Sequence, residues 1–287
     1  MLRIAHISDL HFGTITYSPC QFFSKRWLGN CNLIFTRRKT HDANLLAPLP
    51  ALFSKLKVDL VIVTGDLSTT GQEREFQKAA AYCDLFQERG IKLLFIPGNH
   101  DHYTKKDYLQ KRFYQFFSNP TGDDPFTLKD NQLEIRQLKN EWWYLAIDTV
   151  IPTHLLSSQG LFSEGLEGRL ADLLSRLPKD RRVIFINHFP FFPFDNPRKK
   201  LKRGMALGNL LKQYPQVIFY LHGHTHRHCI ADLRPSHFPI ILDSGSASMV
   251  HHASFNLLDL SPTSSTVAAY RFMNEQWEPW KTSHFAL

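Results

Sequence analysis

Short apolar runs alternate with amphipathic, helix-like stretches along most of this chain of 287 residues. Six of the runs are rich in β-branched and aromatic residues, which is typical of strands covered on both faces. They span residues 2–8, 59–65, 92–98, 142–148, 182–188 and 216–223. Because strands that alternate with helices are the mark of an α/β protein, the pattern predicts that fold class.

Two of the intervening stretches are predicted to be helices. Apolar side chains recur at helical spacing in residues 71–89, and Gly90 follows where such a helix should end. Leucines recur in the same way in residues 164–177, before Pro178. From Pro239 onward, strand-like runs follow one another without long helices, which predicts a sheet that finishes in antiparallel pairing.

The chain is expected to form one domain over residues 1–287, because no linker-like, repetitive or low-complexity stretch interrupts it. No apolar run approaches the roughly 20 residues that span a bilayer. The N-terminus carries a strand-like run in place of a secretory leader. These features predict a cytoplasmic protein whose four cysteines stay reduced.

Polar motifs follow five of the predicted strands. They are Asp-Leu-His at 9–11, Gly-Asp at 65–66, Gly-Asn-His-Asp at 98–101, Asn-His at 187–188 and Gly-His-Thr-His at 223–226. Because functional residues of α/β sheets gather at the carboxyl ends of strands, we expect these motifs to share one site. Each motif alone is weak, since a single histidine is more often structural, and the prediction depends on the ordered set.

The set contains seven candidate metal ligands: Asp9, His11, Asp66, Asn99, His188, His224 and His226. Imidazole, carboxylate and amide oxygen together suit Mn, Fe or Zn better than Ca. Seven ligands are too many for one tetrahedral zinc, but they fit two ions if one carboxylate bridges them. Since residues i and i+2 of an extended chain face the same side, Asp9 with His11 and His224 with His226 are expected to grip one ion per pair.

The ordered motifs, from Asp9 to His226, resemble those of the calcineurin-like metallophosphoesterase family. The resemblance implies a four-layer αββα sandwich and a hydrolase of phosphoric esters or pyrophosphates with two divalent ions, for which Mn²⁺ is the first candidate and Fe or Zn the others. It also implies individual roles: one ion held by Asp9, His11 and His226, the other by Asn99, His188 and His224, a bridging Asp66, a substrate-facing His100 and an Asp101 that orients His100.

Two basic segments, near 12–41 and 189–214, are expected to rim this site because each follows a metal-binding motif. Residues 12–41 contain five Lys or Arg residues, and residues 196–214 contain six; neither contains an acid. The candidate substrate-binding residues are Phe22, Phe23, Trp27, Arg198, Lys199, Lys200 and Arg203. One interpretation is a membrane-facing lid. The other is that the apolar residues complete a core under long loops while the charges face water.

Three functions are open at this point. The first is hydrolysis of a lipid-linked phosphodiester or pyrophosphate by a protein peripheral on the inner membrane, with an anionic membrane surface as partner. Within the family the sequence most resembles the branch that converts UDP-2,3-diacylglucosamine to lipid X and UMP in lipid A synthesis. The second is a soluble cyclic-nucleotide or general phosphodiesterase, which would not explain the basic segments. The third is a nucleic-acid-binding nuclease, which the modest net charge of +8 disfavours.

Overall fold

The computed structural model describes residues 1–14, 40–120, 125–153, 157–193 and 196–287. Fourteen strands lie in these ranges: β1 (Leu2–Ile7), β2 (Leu60–Val63), β3 (Lys92–Phe95), β4 (Leu133–Lys139), β5 (Trp142–Ile147), β6 (Gly160–Leu161), β7 (Arg182–Ile186), β8 (Leu201–Lys202), β9 (Val217–His222), β10 (His228–Asp232), β11 (Ile240–Ser244), β12 (Ser254–Leu260), β13 (Ser264–Met273) and β14 (Gln276–Ala286).

The same ranges contain seven α-helices and three short 3₁₀ turns. The helices are α1 (Leu49–Lys55), α2 (Glu73–Gln87), α3 (Lys105–Leu109), α4 (Phe113–Phe116), α5 (Leu128–Asn131), α6 (Glu164–Arg176) and α7 (Gly204–Leu211). The 3₁₀ turns are Ala43–Leu45, Pro197–Lys199 and Arg234–Ser236. No helix in the described part of the chain is long and apolar enough to cross a membrane.

Twelve of the strands form two six-stranded sheets. The first has the order β14-β13-β12-β1-β2-β3, in which β1, β2 and β3 are parallel and the others pair antiparallel. The second has the order β10-β11-β9-β7-β5-β4, with a parallel centre and an antiparallel strand at each edge. The strands β6 and β8 form a separate parallel pair. The predicted α/β fold is thereby confirmed.

The predicted elements correspond closely to observed ones. The six apolar runs contain β1, β2, β3, β5, β7 and β9, and the two predicted helices are α2 and α6. The N-terminus of α2 is capped by Glu75, whose carboxylate accepts a hydrogen bond from the backbone N of Gln72 at 3.2 Å. The hydroxyl of Ser163 accepts one from Leu166 N at the start of α6. Both helices begin and end within two residues of their predicted bounds.

Two features of the sheets differ from the prediction. The strand β11 does not join the antiparallel tail; it lies in the second sheet, parallel to β9. All five of its residues are buried, as expected for a strand inside a sheet that is covered on both faces. The strand β4 was not predicted, because it is an edge strand with polar residues at alternate positions.

Three apolar clusters divide the molecule into four layers. The middle cluster lies between the sheets and contains Ile62 from the first and Ile184 from the second. Because side chains alternate along a strand, Val61 faces the other way, into a cluster shared with Phe76 of α2. Phe185 likewise packs in the cluster that contains Leu170 of α6. The order helix, sheet, sheet, helix confirms the predicted αββα sandwich.

Candidate metal centre

The five polar motifs meet just beyond the carboxyl ends of β1, β2, β3, β7 and β9. Within the first sheet, the backbone N of Asp9 donates to Gly65 O at 3.0 Å. Within the second sheet, Gly223 N donates to His188 O at 3.1 Å. The two sheets are joined at this point because His224 N donates to the Oδ2 of Asp9 at 3.0 Å. The site therefore belongs to both sheets.

One group of candidate ligands consists of Asp9, His11, Asp66 and His226, whose ligand atoms all lie within 4.8 Å of one another. The Nε2 atoms of His11 and His226 are 3.2 Å apart. The Nε2 of His226 is 3.0 Å from Asp9 Oδ1. Two atoms that each lie about 2.0–2.2 Å from one ion are separated by roughly 3–4 Å, so this spacing fits a metal site.

A second group contains Asn99, His188 and His224. The Oδ1 of Asn99 is 3.2 Å from the Nε2 of His188 and 2.8 Å from the Nδ1 of His224. The far nitrogen of each ring donates to a backbone carbonyl, His188 Nδ1 to Thr64 O and His224 Nε2 to Lys199 O, both at 2.7 Å. In the neutral rings the lone pair is therefore on the nitrogen near Asn99, as a metal ligand requires.

The carboxylate of Asp66 lies between the two groups. Its Oδ2 is 3.6 Å from the Nε2 of His188 and 4.0 Å from the Nε2 of His11. Its Oδ1 accepts a hydrogen bond from the backbone N of His100 at 2.7 Å. An oxygen placed between ligands of both groups fits the bridging role expected for Asp66.

Burial and charge keep the ligands in the protonation states that a cation needs. Burial lowers the pKa of His188 and of His224, so both rings stay neutral. Burial opposes ionisation of Asp9, but the hydrogen bond and charge interaction with His226 outweigh it and hold the pKa of Asp9 well below its ordinary value. The Oδ1 of Asp9 is buried and faces the Nε2 of His226, another candidate ligand, at 3.0 Å. A buried carboxylate is costly unless a positive charge satisfies it, and a cation between these two ligand atoms would supply that charge.

The paired ligands are not on extended backbone, contrary to the prediction. Asp9, His11, Asp66, His224 and His226 all have left-handed backbone, with φ of 56°, 51°, 56°, 70° and 57°. Such conformations are rare outside glycine and cluster at functional sites. Asp9 and His11 are brought together by two left-handed residues after β1 has ended. The geometry fits the expected pairing of Asp9 with His11, but its physical reason is a turn. The expected pairing of His224 with His226 does not fit, because His224 lies with Asn99 and His226 lies with Asp9 and His11.

A family model for calcineurin-like phosphoesterases matches residues 2–228, which is most of the chain. The chain is a calcineurin-like phosphoesterase. The ligand chemistry of the site fits the two-ion centre that the sequence resemblance implies for this family. As a member of the family, the protein is a metal-dependent hydrolase of phosphoric esters.

Three similar proteins are known or probable phosphodiesterases. The phosphoesterase is 24% identical over 292 residues to a glycerophosphodiester phosphodiesterase, GpdQ, of Enterobacter lignolyticus, covering 99% of this chain and 93% of that protein. It is 30% identical over 238 residues to a probable GpdQ of Arcobacter nitrofigilis, with 78% and 71% covered. It is 25% identical over 178 residues to a probable cyclic nucleotide phosphodiesterase of Vesicomyosocius okutanii, with 61% and 65% covered.

Solved structures share the fold of this phosphoesterase. A dimetal phosphatase from Danio rerio superimposes with a TM-score of 0.64 at 14% identity, covering 94% of this chain and 96% of that one. A purple acid phosphatase from yellow lupin gives a TM-score of 0.67 at 11% identity, covering 99% of this chain and 53% of that one. At such low identity these similarities establish the architecture alone.

The contacts of His100 and Asp101 correct one predicted role. The Nδ1 of His100 donates to Thr69 O at 2.7 Å, and its ring stacks on Tyr103. Asp101 does not hold His100. Its buried carboxylate accepts hydrogen bonds from the backbone N of Leu67, Ser68 and Gly98 at 3.2, 2.8 and 2.9 Å, and from the Ser68 hydroxyl at 2.9 Å. Asp101 thus ties the loop after β2 to the loop after β3, and a backbone carbonyl orients His100.

Two serines that no motif indicated support the site. The hydroxyls of Ser246 and Ser248 both donate to the backbone oxygen of Asp9, at 2.7 and 3.1 Å. Their only signal in the sequence is a pair of polar residues after the apolar run of β11. His222 lies outside the ligand set: it is buried with its Nδ1 3.4 Å from the Oδ2 of Asp243, and burial lowers its pKa to about 4.

The second basic segment borders the site through its backbone. Its Lys199 carbonyl is the oxygen that fixes the tautomer of His224. Its large apolar side chains are mostly buried on the outer face of the second sheet: Phe189, Phe191, Leu201, Leu207, Leu210 and Leu211. These six residues agree with the interpretation that the apolar side chains of the segment complete a core under a long loop.

The charged residues predicted to bind substrate are arranged differently. Arg203 forms ion pairs with Glu164 and Glu167 of α6, whereas Arg198, Lys199 and Lys200 are exposed. The predicted Phe22, Phe23 and Trp27 lie outside the described residues. A substrate-binding role for all seven residues remains a prediction.

A substitution at Gly223 is expected to damage the site through a single methyl group. A Cβ at this position would lie 1.9 Å from Ser8 Oγ and 2.5 Å from the Oδ2 of Asp9. Overpacking of this kind costs about 1–3 kcal/mol. We therefore expect Gly223→Ala to lower the free energy of unfolding by about that amount and to weaken metal binding, as measured by denaturation and metal titration.

The matched control is Gly168→Ala in α6, because no atom lies within 4 Å of the place that the added methyl group would take and the residue is exposed. Alanine is favoured over glycine inside a helix by about 1 kcal/mol, so this variant should be as stable as the wild type or more so. Equal stability and equal metal affinity of Gly223→Ala and wild type would contradict the close packing around Asp9.

Proposed function

We propose that the protein hydrolyses small phosphodiesters, with glycerophosphodiesters as the first substrate class. The observation that carries this proposal is the similarity to a glycerophosphodiester phosphodiesterase over 99% of this chain and 93% of that protein. Cyclic nucleotides are the second candidate class, because another relative is a probable cyclic nucleotide phosphodiesterase. The ligand set supports phosphoester chemistry for either class.

The candidate ligands of the site would hold two metal ions during such a reaction. Two divalent ions, Mn²⁺ in our proposal, would be held by Asp9, His11 and His226 and by Asn99, His188 and His224, with Asp66 shared. When bound, they supply a charge clamp for the attacking and leaving oxygens of a displacement at phosphorus. The structure supports this division because Asp66 lies between the two groups.

We assign the protonation of the leaving oxygen to His100. Its Nδ1 is committed to Thr69 O, so its Nε2 is the nitrogen that can exchange a proton with substrate. The backbone N of the same residue donates to Asp66, which fixes the position of His100 relative to the shared carboxylate. A side chain placed in this way is suited to general acid catalysis.

The acylated nucleotide sugar of the first hypothesis has weaker support. The apolar side chains of the second basic segment are mostly packed in the protein's own core, where they cannot contact an acyl chain. Arg203 is paired with two glutamates. An anionic membrane surface as partner would therefore depend on Arg198, Lys199, Lys200 and the first basic segment.

A substrate comparison tests the proposal. Purified protein with Mn²⁺ is assayed with glycerophosphoethanolamine, with 3′,5′-cyclic AMP, with UDP-2,3-diacylglucosamine in mixed micelles and with single-stranded DNA. We expect kcat/KM for the best small phosphodiester to exceed that for the glycolipid by at least about tenfold, which corresponds to about 1.4 kcal/mol of transition-state stabilisation.

The control in each assay is Asp66→Ala, which should remove the activity that belongs to this site. Faster hydrolysis of the glycolipid, lowered selectively when Arg198, Lys199 and Lys200 are all replaced by glutamine, would contradict the proposal and favour the membrane-bound function. Hydrolysis of single-stranded DNA above both small phosphodiesters would favour the nuclease.

A further inference from the structure

His41 stands at the edge of the candidate metal centre although it belongs to none of the five motifs. Its segment is held by backbone bonds to the loop after β11: Asp42 N donates to Ser248 O at 2.8 Å, and Val250 N donates to Thr40 O at 2.9 Å. His41 itself forms a β-bridge with Met249. These bonds on both sides fix the backbone of His41 beside the site.

The ring of His41 faces two of the predicted ligands. Its centroid is 4.5 Å from that of His11 and 5.4 Å from that of His226. Ligand atoms of the three histidines all lie within 4.8 Å of one another. Because ligands on opposite sides of one ion are separated by about 4 Å, three imidazoles at this spacing can share an ion.

A hydrogen-bond chain connects the His41 ring to Asp9 through Ser248. The Ser248 hydroxyl donates to the backbone oxygen of Asp9 at 3.1 Å, since a carbonyl can only accept. The Nδ1 of His41 is 2.8 Å from Ser248 Oγ, and in the tautomer that donates to this hydroxyl the hydroxyl keeps its proton for Asp9 O. The lone pair of the neutral ring is then on Nε2. His188 and His224 are prepared in the same way by backbone carbonyls.

We propose that His41 is an additional ligand of the ion held by Asp9, His11 and His226. The inference rests on the proposed two-ion centre and extends it. With Asp66 shared, this ion has one more protein ligand than the ion at Asn99, His188 and His224. It is therefore the more tightly bound of the two. The third imidazole also favours borderline metals over Mg²⁺ or Ca²⁺ at this position.

Metal titration of the full chain tests the inference without measuring hydrolysis. Metal-free wild type and His41→Ala are titrated with Mn²⁺, with free ion followed by electron paramagnetic resonance. We expect two ions in the wild type, and in His41→Ala an affinity of the tighter site lowered by at least about tenfold, since loss of even a supporting residue costs about 10–100-fold. Titration with Co²⁺ should show a changed visible absorption spectrum in His41→Ala.

Two further variants sharpen the comparison. Ser248→Ala removes the hydroxyl that fixes the ring and should lower the affinity of the same site by a smaller factor. His252→Ala is the matched control, because His252 is exposed. This variant should bind both ions as the wild type does. Thermal denaturation in the presence of a chelator checks folding. If His41→Ala is unfolded, His41→Gln is measured by the same criteria.

The outcomes separate this inference from the proposed function. Wild-type affinities for both ions and an unchanged Co²⁺ spectrum in the folded His41 variant would overturn the inference and leave the phosphodiesterase proposal in place. Failure of the wild type to bind any ion would overturn both. Selective weakening of one site in His41→Ala, with both sites intact in His252→Ala, would establish His41 as a ligand.

Discussion

Replacement of Asp66 by asparagine is expected to abolish nearly all hydrolysis and to remove at least one of two bound ions. Its Oδ2 lies between His11 and His188, so the loss of its negative charge affects both groups of ligands. Removal of one hydrogen-bond donor to a developing charge already costs about 10²–10³ in rate. The loss of a divalent ion should cost at least as much.

Asparagine is the sharper test than alanine because it retains one oxygen. The Oδ1 of Asp66 accepts the backbone N–H of His100, and an amide oxygen at the same position can still do so. Asp66→Asn therefore changes the bridge while leaving the His100 loop in place, whereas Asp66→Ala changes both. Metal content is measured by atomic spectroscopy, and hydrolysis is measured on the best small phosphodiester.

The control for Asp66 is Asp172→Asn, which removes an exposed ion pair with Arg176 in α6. Exposed pairs contribute about 0–1 kcal/mol, so neither metal content nor rate should change measurably. Two bound ions and a normal rate in Asp66→Asn would show that the carboxylate does not bridge, and the assignment of the two groups would have to be revised.

Replacement of His100 by alanine is expected to lower kcat by about 10²–10⁴, the usual contribution of a placed general acid. The two ions should remain, because His100 is assigned to the substrate and its backbone N–H still reaches Asp66. The loss should depend on the leaving group. It should be large for a glycerophosphodiester, whose alkoxide needs a proton, and small for a p-nitrophenyl phosphodiester, whose phenolate leaves unaided.

This difference between substrates distinguishes proton donation from a structural role. A mere disturbance of the loop would lower both rates in equal proportion. The matched control is His251→Ala, an exposed histidine near the site loops that should leave both rates unchanged. A normal rate of His100→Ala on the glycerophosphodiester would remove His100 from the mechanism.

The fold could be predicted largely because the buried strands are short and apolar. The runs that contain β2 and β9 are hydrophobic on both faces, and such segments have few alternatives to a covered sheet. The position of β11 could not be predicted in this way. The sequence of β11 is compatible with either sheet. Its place in the second sheet depends on pairing with β9 and β10.

The candidate ligands could be predicted because each one stands beside a strand end in a recurring order. Roles that depend on backbone contacts could not be predicted in this way. Asp101 ties two loops through their N–H groups, and the Lys199 carbonyl orients His224. His41 is separated from every motif in the sequence, and only the pairing of its segment with the loop after β11 brings it to the site.

The placement of the centre across two sheets couples metal occupancy to folding. Asp9, Asp66 and Asn99 follow strands of the first sheet, whereas His188 and His224 follow strands of the second. A chain in which the sheets have separated has neither complete set of ligands, so the ions bind the native state in preference to the unfolded chain. By mass action, each ion at a concentration of about 100 times its Kd stabilises the folded protein by about 2.7 kcal/mol. Bound metals would therefore stabilise the contact between the two sheets reversibly, by an amount that depends on the free-metal concentration.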